Sequence, residues 1–198
     1  MKTRLLTLGL FALFFAAGAS SLATPMEFQA TPAMTAGPVK APTTEPEMIK
    51  SAMSAAPLAI AQGATIVAMD EKMNMKTLRA GTNGWTCLPD MPTTPGVDSM
   101  CLDKNGLEWA HALMGHKNPP PDKMGFGYML AGGSDASNTD PFAVKPMPGG
   151  RWVDTGPHVM VLNIGTKFDG YPTTADNTKT PFVMFPGTPY AHLMMPVR

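Results

Sequence analysis

The sequence predicts an α+β domain: an antiparallel sheet with one or two short helices, long loops and one disulfide. Three observations carry this reading. Short apolar runs alternate with Pro- and Gly-rich turns, one well-capped helical pattern lies between them, and two cysteines are placed to staple a loop. The chain has 198 residues, 44% of them hydrophobic, which suffices for one ordinary domain with tails and excludes a wholly disordered chain. Fifteen Lys and Arg balance fifteen Asp and Glu. That neutrality excludes a generally basic nucleic-acid binder and leaves no broad patch for an anionic membrane. The sequence contains no internal repeat, P-loop, dinucleotide fingerprint, zinc-ligand spacing or nucleophile elbow.

Residues 1–23 read as an export signal. Lys2 and Arg4 precede an apolar run from Leu5 to Ala17, and Ala17-Gly18-Ala19 and Ser21-Leu22-Ala23 both suit a signal peptidase. The run is shorter than the roughly 20 residues of a spanning helix, so no stable membrane span is expected after cleavage. Residues 24–44 are Pro-, Ala- and Thr-rich and read as a flexible tether, with a single α+β domain over 45–198. A periplasmic or secreted location follows, and there a lone cysteine pair is most simply a disulfide. Cys87 and Cys101 would close a loop of about 15 residues, worth on the order of 3 kcal/mol in the chain-entropy model. The enclosed LPDMPTTPGVDSM has little apolar material with which to hold itself together.

The elements follow in order. A short helix begins near Thr44 or Glu45 and is interrupted by Pro57 within 45–62. ATIVAM (64–69) and MKTLRA (75–80) suggest a hairpin, Gly81-Thr82-Asn83-Gly84 a turn, and GWTCL (84–88) a third strand. Asp103 is a good N-cap for a helix reaching about Met114, with Gly115 as its stop. Prolines 119–121 close that region. MGFGYMLA (124–131) reads as a strand, followed by a long polar loop. HVMVLNI (158–164) is apolar enough for a central strand, and PFVMF (181–185) with YAHLMMPV (190–197) looks like a closing hairpin.

SAAPLAIAQGATIVAMD, MKTLRAGTNGWTCLPD, DSMCLD and the terminal GTPYAHLMMPV together resemble a group of small exported bacterial proteins of unknown function. The likeness covers about residues 50–198, with GTNGWTC and its second cysteine the most specific part. The resemblance implies export and the disulfide, and it implies no catalytic residue.

Methionine is the compositional oddity, with 18 residues. Thioethers are soft ligands suited to Cu(I), and imidazole accepts copper as well. His158 and Met160 share one face of their strand, and His192 and Met194 share one face of theirs. Were the two strands neighbours in matching register, the four side chains would converge on a copper ion; in the plainer alternative they fill the core. His111 and His116 are five apart, which turns the rings roughly 140° from each other on a regular helix. Met69, Met73 and Met75 form a weaker cluster.

For catalysis, Asp90, Asp103, Glu108 and His111 fall near the disulfide loop, and Glu108 and His111 are i,i+3 on one helix. For recognition, Arg79, Asn83 and Trp85 flank the tight turn, and Trp109, Trp152, Tyr128, Tyr171 and Tyr190 supply further aromatic surface. An Arg79–Trp85 stack that merely supports the loop fits the same residues. The leading expectation is a non-enzymatic binding or structural module of the bacterial cell envelope, its partner a small molecule or an envelope component. A copper-handling protein is the alternative, and an envelope hydrolase comes third.

Overall fold

A computed structural model describes residues 40–70, 74–91, 93–165 and 167–197. The export signal, residues 24–39 of the tether, and Met73 lie outside the described residues.

Helix α1 (Glu45–Met53) starts on a capping box: the Thr44 side chain accepts from the Glu47 N–H, and the Glu47 carboxylate accepts from the Thr44 N–H. Pro57 stands at the N-cap of a one-turn helix α2 (Leu58–Ala61), so the proline separates two helices. Strands β1 (Thr65–Met69) and β2 (Met75–Arg79) form the expected hairpin. Strand β3 (Thr86–Leu88) then returns on the other side of β1 and pairs with it in parallel, the one parallel contact among the described strands.

Strand β4 (Met100–Leu102), which the sequence did not announce, pairs antiparallel with β3 and sets Cys87 opposite Cys101. The two cysteines are joined as a disulfide. Helix α3 (Lys104–Met114) begins at Asp103, whose carboxylate accepts from the Gly106 N–H at 2.7 Å, and ends at Gly115. Strands β5 (Gly125–Met129) and β8 (His158–Leu162) lie inside the sheet, and β9 (Phe182–Met184) pairs with β10 (His192–Pro196) as the closing hairpin. The polar region between β5 and β8 contains a two-residue pair of its own, β6 (Ser134–Asp135) with β7 (Val153–Asp154).

The main sheet therefore runs β2-β1-β3-β4-β5-β8-β10-β9. Its two faces carry different cores. One holds the disulfide, Ile66, Ala52 of α1 and Ala55, Ala56 and Ala64 beyond it, with Trp85 and Tyr128 against them. The other holds Leu102, Met160, Leu162, Phe182 and Met194 beneath Trp109 of α3. Helix α3 comes very close to β5 because both contribute glycine: a Cβ built on Gly125 would meet the Gly106 backbone, with Cα at 2.8 Å. No helix among the described residues is long and apolar enough to cross a membrane.

Gly125→Ala is expected to cost about 1–3 kcal/mol, the usual penalty for overpacking where backbone must move. Urea unfolding midpoints measure it, and an unchanged midpoint would show that α3 and β5 do not meet through their glycines.

Candidate functional site

The site begins with strand register. On one sheet face, Leu102, Gly127, Met160, Met194 and Phe182 stand in a continuous row across β4, β5, β8, β10 and β9. Each pair in the row is directly opposed, so these side chains share a face. Gly127 leaves this row open where Met160 needs room: a Cβ there would lie 2.6 Å from the Met160 Cε. A neighbouring row sets Leu162 opposite His192 and His192 opposite Met184.

Between this face, α3 and the segments bearing Pro89, Met91, Thr94, Asp98, Ser134 and Asp135 lies a cavity of about 290 Å³. Nine methionines line it among the described residues, half of the 18 in the chain. Its walls are thus thioether and hydrocarbon, completed by Trp109, Leu113 and Phe185. Asp98, Ser134, Asp135, Thr155, His158 and His192 supply its polar groups.

Both histidines are fixed in the same way. The His192 Nδ1–H donates to the Tyr190 carbonyl at 2.9 Å, and the His158 Nδ1–H to the Gly156 carbonyl at 2.6 Å. These bonds place the proton on Nδ1 and leave the lone pair on Nε2. The His192 ring is boxed in by Trp109 and Phe185, with centroids at 5.1 and 5.5 Å. Burial holds its pKa down to about 4, and the neighbouring His158 adds to the effect against the Tyr190 bond.

At the polar end, burial pushes both Asp98 and Asp135 up to about 6. Asp98 also feels Asp90, and Asp135 feels Asp98. Hydrogen bonds oppose this: Asp98 accepts from the Ser134 N–H at 2.5 Å and from the Thr94 hydroxyl, and Asp135 from the Ser137 N–H at 3.2 Å. Two groups in the cavity wall have no hydrogen-bond partner among the described residues, the indole N–H of Trp109 and the hydroxyl of Thr155, in residues 5% and 3% exposed.

The strands bearing His158, Met160, His192 and Met194 are neighbours, as the copper reading required. Their register brings Met160 and Met194 face to face but sets His158 opposite Pro196 and His192 opposite Leu162. Their backbones are therefore offset by four residues, while the two rings share the cavity wall closely enough for His158 to act on His192. Met69 and Met75 are directly paired and line the same cavity.

The other sequence candidates lie elsewhere. Arg79 donates to the carbonyls of Ala61 and Ala64, at 2.5 and 3.0 Å. Asn83 donates to Ile60 and accepts from the Trp85 N–H. Trp85 packs on Tyr128 with centroids 5.4 Å apart, so this trio braces α2 and the turn outside the cavity. Glu108 is drawn to Lys123 at 2.5 Å, which lowers its pKa, while the His111 Nε2 lies 3.0 Å from the Met75 Sδ. His116 stacks on Phe142 instead of approaching His111. Sequence reasoning missed Asp98, Asp135 and Thr155, which come from three separated segments; Asp98 sits in the Pro- and Thr-rich disulfide loop, the one local hint of a shaped surface.

The pH behaviour of the two aspartates follows from sign. A carboxyl whose folded pKa is raised lends stability below its unfolded value near 4, and that stability is lost as pH rises through about 6. His192 runs the other way: its folded pKa is depressed, so its contribution is present above about 6.5 and is lost as pH falls through about 4. Asp98→Asn should therefore gain stability relative to the parent protein as pH is raised from 4 to 7. Denaturation midpoints across that window measure the difference, and a flat one would remove the buried-carboxylate account.

Scans of protein-family models, of curated proteins and of solved structures each return no match to this chain.

Proposed function

We propose that this is an exported, non-enzymatic binding protein of the cell envelope that takes a small, soft, largely apolar ligand into the methionine-lined cavity. The observation that carries the reading is the cavity itself: a space of about 290 Å³ walled by nine methionines and by Trp109. Flexible, polarisable thioethers adapt to irregular apolar ligands more readily than branched side chains do. A mainly apolar hollow with a few converging polar groups is the usual form of a small-molecule site.

The unpartnered Trp109 and Thr155 groups support the same reading. A buried polar group without a partner costs about 1–3 kcal/mol in the free protein. A ligand bearing one acceptor and one donor or acceptor would offset that cost. The disulfide supports an oxidising compartment. In the envelope, protein recovered from the producing cell should begin at Thr24.

Titration with N-phenyl-1-naphthylamine, a neutral aromatic probe, is expected to give saturable enhancement of probe emission at one site per chain. Thr155→Val is expected to stabilise the ligand-free protein by about 1 kcal/mol or more, because it deletes an orphan hydroxyl. Absence of saturable probe uptake would reject the binding reading.

A further inference from the structure

We propose that the sheet floor of the cavity is a Cu(I) site built from the thioethers of Met160, Met184 and Met194 and the Nε2 of His192. The assignment rests on the cavity being the binding site and names one occupant of its floor.

Register supplies the geometry. Met194 is directly opposite Met160 on one neighbouring strand, and His192 is directly opposite Met184 on the other. His192 and Met194 are two residues apart on β10 and so point to the same side. Opposed Cβ atoms in such pairs lie about 4.5–5.5 Å apart. Each methionine then has three rotatable bonds with which to bring its sulfur inward. All four residues line the cavity and all are buried, none more than 6% exposed. His158 stands opposite Pro196 and Met129 in the register and is not part of the set.

The donor chemistry selects the ion. Three thioethers and one neutral imidazole are soft, uncharged ligands, and thioethers favour Cu(I) over harder divalent ions. Four neutral donors also suit a monovalent charge, which costs less to bury than a divalent one. Among the described residues no group of three His, Cys, Asp or Glu side chains could hold a metal, so a hard ion finds no comparable set there.

The imidazole is already in the arrangement that metal-binding histidines use. Its Nδ1–H is tied to a backbone carbonyl at 2.9 Å, which fixes ring orientation and tautomer and keeps the Nε2 lone pair for the ion. The backbone on which this rests, β10, is paired on both sides. No covalent or redox step is involved: the ion enters as Cu(I) and is held as Cu(I).

The test is a competition titration of the disulfide-intact chain with Cu(I), kept reduced by ascorbate and reported by bicinchoninate, alongside Ag(I) as a redox-inert probe. One ion per chain should be withdrawn from the chromophore, and X-ray absorption should show a sulfur-dominated shell with one nitrogen. Met160→Leu/Met194→Leu nearly conserves volume and should leave the fold intact. It should weaken Cu(I) binding by more than about tenfold, since even outer-shell changes at metal sites cost that much. Met147→Leu, on the exposed surface, should leave binding unchanged.

Uptake of N-phenyl-1-naphthylamine without Cu(I) or Ag(I) binding overturns the metal assignment and leaves the cavity reading standing. Uptake of neither removes both. Metal binding that survives the double Leu variant, or that shows only nitrogen and oxygen around copper, places the ion elsewhere and overturns the assignment.

Discussion

The pairing of β8 with both β5 and β10 is the constraint on which the cavity depends. Side chains alternate between sheet faces with a period of two, so one register shift would turn every inward residue outward. In the observed register His158, Met160 and Leu162 all point to the face covered by α3, and each meets an inward partner on both sides. Gly125 and Gly127 on β5 are part of the same constraint. One lets α3 approach the sheet, and the other leaves the volume that the Met160 methyl occupies.

Electrostatics divides the cavity. Its floor is thioether and imidazole, with His192 kept neutral by burial among Trp109 and Phe185. Its rim carries Asp98 and Asp135, whose charges burial and mutual repulsion resist. Near neutral pH the rim is negative and His192 on the floor is uncharged. This polarity is built where the disulfide loop meets β6, with the Ser134 N–H donating to Asp98 across the two segments.

Much of the architecture was legible because its signals are local. Thr44 and Asp103 cap helices through their own side chains, Gly115 and Pro57 end or separate them, and the apolar run at 158–164 contains an inner strand. Strand β4 escaped notice because Met100–Leu102 is too short to show alternation, and it is defined by its pairing with β3 and β5. The parallel pairing of β1 with β3 is likewise a long-range choice that no local pattern announces. At the site, adjacency of the strands bearing Met160 and Met194 was an open condition on sequence spacing.

By itself the sequence determined the fold class, the caps and turns, the cysteine pair and the surplus of methionine, since each is set by residue type and short spacing. Only the tertiary structure decided that half of those methionines face one hollow, that Met184 stands opposite His192 while His158 stands opposite Pro196, and that Asp98, Asp135 and Thr155 line the same hollow. The reason is physical: strand order and register are settled by the burial of two whole sheet faces at once, and no window of neighbouring residues contains that sum.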